Sequence, residues 1–196
     1  IVRSIEDEDP ESICSILLID PQGGNLHHGA APSLPADYRA AIDGLPVRAD
    51  VGSCGAAAAI GRRVVVEDVL SHPNWTGYQD AARAANLRAC WSEPILSTGG
   101  LVLGTFAIYH REPRTPGPDD LDRLRVAVDL ASLAIERKQT ETLLQRQASL
   151  EELVRGISLA LLAGEARDTD AALADAMARI GAFMQASRCV LLEQTP

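Results

Sequence analysis

Residues 88–110 read RACWSEPILSTGGLVLGTFAIYH, two apolar arms joined by Ser97-Thr98-Gly99-Gly100. Glycine accepts positive φ without a Cβ clash, so the segment is expected to fold as a β-hairpin. The second arm, Leu101 to His110, is apolar on both faces. Leu101, Leu103, Thr105, Ala107 and Tyr109 form one alternate set, and Val102, Gly104, Phe106, Ile108 and His110 the other. A strand with one face in water would show a polar set. This arm is therefore expected to be central, with helices over one side and a ligand or a lid of short helices over the other.

Upstream, Ile13 to Asp20 is apolar and β-branched and reads as a strand, Pro21-Gln22-Gly23-Gly24 as a turn, and Asn25 to Ala31 as the return strand. Pro35 to Asp43 fits a short helix, with Ser33 as its cap and Gly44 after it. Ser53 of Val51-Gly52-Ser53-Cys54-Gly55 is placed to cap an Ala-rich helix ending at Gly61. Val64 to Asp68 is a brief strand, Ser71 to Tyr78 an ordered loop holding Pro73, Trp75 and Gly77, and Gln79 to Asn86 a short helix.

Downstream, Glu112 to Asp119 is a Pro-rich loop, and helical spacing follows at Leu121, Leu124, Val128, Ala131 and Ile135. The stripe lapses over Glu136 to Thr142 and resumes at Leu150, Leu153, Ile157 and Ala160. One helix over residues 119–163 would be roughly 65 Å long at 1.5 Å per residue, more than a compact domain covers. Alternating steps of three and four suggest a two-stranded coiled coil, the other reading being two helices with a break near Gln139, the first of them ordinary core cover. Asp168 to Ala186 reads as a further amphipathic helix and Arg188 to Glu193 as a lone strand. The predicted organisation is a sensory domain over 1–118, a signalling helix over 119–163, and the start of a second sensory domain over 164–196.

The 196 residues carry a formal charge of −9, which argues against a phosphate-backbone partner. A hydrophobic share of 46% with only 4% aromatic points to helix-rich segments with small side chains. No apolar run approaches the roughly 18 residues a membrane span needs, and no signal peptide is recognisable, so a cytoplasmic location is expected. Cys14, Cys54, Cys90 and Cys189 are scattered without a C-x-x-C pair and read as small buried residues. The chain opens on Ile1 and closes just after an apolar run, which reads as a segment of a longer protein.

The order of these pieces resembles the GAF domain. The signature runs strand, hairpin strand, Gly-Ser-Cys-Gly at a helix start, Val-Val-Val-Glu-Asp, a Trp-containing loop, Cys-Trp-Ser-Glu-Pro-Ile, then Gly-Thr-Phe-Ala-Ile-Tyr before a Pro-rich linker and helix. It spans about Ile13 to Arg137 and is similar to the bacterial type of sensor histidine kinases and cyclic-di-GMP synthases and phosphodiesterases. The resemblance implies an α+β fold, with an antiparallel sheet of five or six strands flanked by helices and a long C-terminal linker helix. It also implies a small-molecule pocket and a parallel homodimer formed through the 119–163 helix, coupled to a covalently linked output domain. The end of the chain resembles the opening of a second GAF or PAS domain.

In that frame Trp75, Tyr78, Gln79, Trp91, Cys54 and Tyr109 are the expected ligand-binding residues. Aromatic faces with a polar tip suit a flat or cationic ligand, although they equally fill space under an Ala-rich layer. Cys54 lies where free methionine sulfoxide reductases of the GAF type carry Gly-x-Cys-Gly. Those enzymes need a second cysteine in the loop before the penultimate strand, and Ser71 to Leu87 has none. Thiol redox catalysis requires a partner sulfur within about 7 Å between Cα atoms, so a reductase is not supported. Gln79 to Arg88 lacks the axial His of haem-binding GAF domains, Cys90 lacks the flanking His of a phytochrome-type attachment, and the cyclic-nucleotide pattern is absent. No Ser-His-Asp set, Walker loop or HExxH occurs. The expected function is non-catalytic sensing, with a ligand-free dimerisation spacer as the first alternative and a free methionine sulfoxide reductase-like thiol enzyme as the last. No metal site is expected, and the ligand or cofactor is left open.

Overall fold

The computed structural model describes residues 1–163 and 169–184. Six strands form one sheet: β1 (Ile13–Ile19), β2 (Asn25–Ala30), β3 (Leu45–Pro46), β4 (Val64–Val66), β5 (Ala89–Leu96) and β6 (Val102–His110). Their spatial order is β3-β2-β1-β6-β5-β4, and every neighbouring pair is antiparallel. The helices are α1 (Val2–Glu8), α2 (Ala36–Ile42), α3 (Cys54–Ile60), α4 (Gln79–Ala84), α5 (Pro118–Ala163) and α6 (Thr169–Phe183), with a 3-10 turn at Pro73–Trp75. The fold class is α+β, as the resemblance to the GAF domain implies.

The hairpin turn forms at the expected residues. Ser97 N bonds Leu101 O at 2.8 Å, Gly100 N bonds Ser97 O at 2.9 Å, and Gly100 sits at φ 82°. β6 lies between β1 and β5, and from Phe106 to Tyr109 its alternate residues enter two separate cores, while Val102 and Leu103, beside the register irregularity at Ile95/Leu96, pack the other way round. Ala107 and Tyr109 join Leu17, Tyr38, Cys54, Trp75 and Cys90 on one face. Phe106 and Ile108 join Cys14, Trp91 and Ile95 under Leu124, Ala127, Val128 and Ala131 of α5 on the other. The short elements α2, α3, α4 and the 3-10 turn cover the first face, and α1 and α5 the second.

The chain divides into two compact units, Ile1–Arg137 and Lys138–Pro196. The first takes in the opening turns of α5, because Leu124 and Ala131 of that helix are buried on the sheet. The stripe Leu124, Val128, Ala131, expected as part of a coiled-coil seam, is thus ordinary core cover in this unit. A different face of α5 leaves Val126, Leu130 and Leu133 exposed. In the second unit, α6 falls within the predicted helix of 168–186, while the predicted strand at 188–193 lies outside the described residues.

Two predicted caps do not form. Ser33 Oγ donates to Glu6 Oε2 at 2.8 Å, tying the start of α2 back to α1, and α2 begins after Pro35 without a side-chain cap. Ser53 also caps nothing, and its hydroxyl is used across the sheet instead. No helix among the described residues is long and apolar enough to cross a membrane.

Candidate functional site

Gly52 to Cys54 form the hub of the covered face. Gly52 N donates to Asn74 O at 2.8 Å, and Asn74 Nδ2 donates to Ala49 O at 3.0 Å. These bonds pin the Trp75 turn onto the segment before α3. Trp75 Nε1 then donates to Ser53 Oγ at 3.1 Å, and Ser53 Oγ donates to Cys90 O at 3.4 Å. One hydroxyl thereby links the 3-10 turn, the start of α3 and the start of β5. Nearby, Tyr38 meets Tyr109 edge-on with ring centroids 5.9 Å apart, and Ser15 Oγ donates to the Tyr109 hydroxyl at 3.4 Å.

The period of two along each strand decides which residues reach this site. Register pairs Cys90 with Tyr109 and Trp91 with Ile108. Cys90 and Ser92 therefore face α3, and Trp91 faces α5. Of the six residues expected at the site, Cys54, Trp75, Tyr78 and Tyr109 converge on one small cavity. Gln79 opens α4, half-buried and outside the cavity wall. Trp91 is a correction, because it lies through the sheet on the opposite core. There its Nε1 donates to Arg114 O at 3.0 Å, and the Arg114 guanidinium lies 5.5 Å from its ring centroid. Trp91 anchors the linker that leads into α5.

The cavity is a second correction. It encloses about 10 Å³, room for about one water, whereas sites for organic ligands measure about 300–1,000 Å³. Tyr38, Trp75 and Tyr109, each no more than 3% exposed, fill the hollow that the sequence left for a ligand. Sequence reasoning missed Tyr38, which it placed only as part of a short helix.

It also missed the pairing of Cys54 with Cys90. α3 packs over β5 and β6, and the two thiols share one buried core as electrostatic neighbours. The hydroxyls of Ser92, Thr105 and Tyr109 also lean on the Cys54 sulfur. Those of Ser92 and Thr105 are buried without a partner of ordinary bonding geometry. The hydrogen bond from Cys90, opposed by burial and aided by these hydroxyls, lowers the Cys54 thiol to about 7. Burial and the bond to Cys54 push Cys90 far up. The strand-set rule applied to β5 would have put Cys90 and Ser92 on the Tyr109 face; only the packing of α3 shows that Cys54 meets them.

Residues 69–87, which carry the Trp75 turn and α4, are closed at their neck. Val69 N donates to Arg88 O at 2.7 Å. Arg88 Nη2 and Nε donate to the two Asp68 carboxylate oxygens at 2.7 and 3.1 Å. The Arg88 bonds, with help from the Leu70 amide, hold the Asp68 carboxyl below its usual value. A carboxylate whose folded pKa is depressed stabilises the fold above its unfolded value near 3.9, and that contribution fades as pH falls through the folded one. Asp68→Asn is expected to lower the melting temperature at pH 7, and the gap from the parent should close below about pH 4. A gap that stays constant down to about pH 2.5 in a calorimetric series would remove the ion pair from this role.

Residues 1–136 match the family model described as the GAF domain. The chain belongs to the GAF domain family. A curated relative, the methyl sulfide methyltransferase-associated sensor of Methanosarcina acetivorans, is 40% identical over 139 residues. That match covers 71% of this chain but 14% of the sensor. A domain assigned to a two-component sensor histidine kinase of Sinorhizobium meliloti 1021 superposes with a TM-score of 0.60 at 19% identity, covering 74% of this chain and 92% of that one. The type II free methionine-R-sulfoxide reductase of Thermoplasma acidophilum superposes at 0.53 with 14% identity, covering 69% and 87%. At such identities these two structures share the fold with the GAF domain and nothing finer.

Proposed function

We propose that this GAF domain is a non-catalytic sensory module whose input is received at the Ser53–Cys54–Trp75–Tyr109 face and passed through the sheet to α5. The observation that carries this reading is the division of β5 and β6. Cys90, Thr105 and Tyr109 face the site, while their neighbours Trp91, Phe106 and Ile108 form the floor under α5. The base of this hairpin is tied to the approach to α5, and its tip to the interior of that helix. Trp91 holds Arg114 at the approach to α5. At the hairpin tip, Ser132 Oγ donates to Leu96 O at 2.6 Å, and Thr98 N and Oγ1 donate to Glu136 Oε1 at 3.0 Å. A shift in β5 therefore has a short mechanical route to α5. The relative named as a sensor supports the same reading.

Transmission needs a ligand with different affinity for two arrangements of the domain. The cavity of about 10 Å³ means an organic ligand would have to displace Trp75 or Tyr78. Dimerisation through α5, with Val126, Leu130 and Leu133 as the seam, and an output domain beyond the chain complete the proposal.

The closed cavity favours a second reading, a dimerisation spacer with a sealed core. A reductase gains the second thiol that the sequence denied it, yet the cavity does not admit a methionine sulfoxide. Native mass spectrometry of the purified domain, with a thermal-shift screen of small metabolites, separates sensor from spacer. A bound mass, or a shift of several degrees that Trp75→Phe abolishes, is expected for a sensor. Neither effect across the screen would favour the spacer.

A further inference from the structure

We propose that Cys54 and Cys90 form an oxidisable dithiol, a modification site that hydrogen peroxide converts to a disulfide. The pair is held together by the fold. Ser53, adjacent to Cys54, bonds the carbonyl of Cys90 at 3.4 Å, so the start of α3 and the start of β5 are locked at one point. Both thiols belong to one buried core, and each acts on the proton affinity of the other. Neither thiol is bonded into a disulfide in this structure.

The surroundings select the oxidant. Cys54 and Cys90 are 3% and 0% exposed, which shuts out bulky electrophiles. The cavity against Cys54 holds about 10 Å³, space for about one molecule of water's size. Hydrogen peroxide has one oxygen more than water, so the half-buried Tyr78 on the cavity wall has to yield for it to enter. Tyr38 and Tyr109 are the other titratable groups facing the pair.

The chemistry balances with peroxide alone. The Cys54 thiolate attacks one peroxide oxygen and the O–O bond breaks. Sulfur is oxidised to the sulfenic acid, and the departing hydroxide takes up a proton to become water. The Cys90 sulfur then attacks the sulfenic sulfur. Its proton leaves with the sulfenic oxygen as a second water, and the Sγ–Sγ bond forms. Two thiols and one peroxide become one disulfide and two waters. The low proton affinity of Cys54 supplies the nucleophile near neutral pH. Cys14, on the other face of the sheet, is an internal control, since burial pushes its thiol up to about 12.

The site itself does not depend on the sensory proposal; only its consequence for α5 does. The test treats the folded chain with hydrogen peroxide at neutral pH, traps remaining thiols with N-ethylmaleimide in denaturant, and maps peptides by mass. The expected result is a species two hydrogens lighter, carrying a Cys54–Cys90 cross-linked peptide reversed by dithiothreitol, with Cys14 still alkylated. Cys54→Ser and Cys90→Ala are each expected to abolish the cross-link. Sulfinic acid at Cys54 without a cross-link, or cross-linking only after unfolding, would overturn the proposal on the parent chain alone. A disulfide that leaves the α5 amide resonances unchanged would keep the site and remove its sensory role.

Discussion

Gly104→Ala is expected to destabilise the GAF domain by about 3 kcal/mol or more, among the largest effects of any single methyl added to this chain. Gly104 lies in β6 opposite Leu18 of β1. A Cβ built there stands 2.1 Å from Leu17 O and 3.1 Å from Leu18 Cα. Both obstacles are backbone, so no rotamer change relieves them, and the two central strands must part where both cores depend on them. Gly77→Ala is the matched control. Its added Cβ meets nothing within 4 Å and its φ is not positive, so the change should be neutral or gain up to about 1 kcal/mol through the unfolded chain. Urea unfolding of both variants checks this; equal midpoints would mean that β1 and β6 are not packed as described.

The paired change Leu130→Lys with Leu133→Lys is expected to weaken self-association by about a hundredfold or more while leaving the melting temperature of the dilute monomer within a few degrees. Val126, Leu130 and Leu133 are 59%, 50% and 63% exposed on a face of α5 turned away from the sheet. Four leucines leaving a dimer seam, at about 1 kcal/mol each, exceed the roughly 1.4 kcal/mol that a tenfold change requires. Ile135→Lys is predicted to behave differently. Ile135 packs against the sheet core, so its loss should lower stability rather than association. Sedimentation equilibrium separates these outcomes, and an unchanged association constant in the double variant would move the seam elsewhere.

Period and turn chemistry made much of the fold legible. The alternate sets of Leu101 to His110 placed β6 at the centre with two covered faces, and the turn at Ser97 to Gly100 followed from its glycines. The two-residue strand β3 was not legible, because Leu45 and Pro46 have no periodicity of their own. Nor was the use of Ser53. A serine before an Ala-rich helix looks like a cap, and only the approach of Trp75 and β5 makes it a cross-sheet tie.

At the site, four of six expected residues converge, and the failure at Trp91 has a definite cause. Aromatic scarcity drew the two tryptophans together in the reading, although Cys90 and Trp91 are neighbours on a strand and must face opposite ways. The missing hollow has a different origin. Whether Trp75, Tyr38 and Tyr109 line a space or fill it depends on where three chain segments meet, which no local pattern encodes. The same long-range meeting brings Cys54 to Cys90, separated by 36 positions and joined only through the packing of α3 on β5.

The division of the sheet into a receiving face and a helix-bearing face is most directly tested by nuclear magnetic resonance of Ser53→Ala beside the parent. The two tryptophans report separately, Trp75 from the site and Trp91 from beneath the α5 linker. Removing the Ser53 hydroxyl frees the Trp75 indole and releases its hold on Cys90. The account predicts that the indole resonances of both tryptophans and the amides of Asp120 to Ala131 all shift. A displaced Trp75 resonance with Trp91 and every α5 amide superposed on the parent would contradict it.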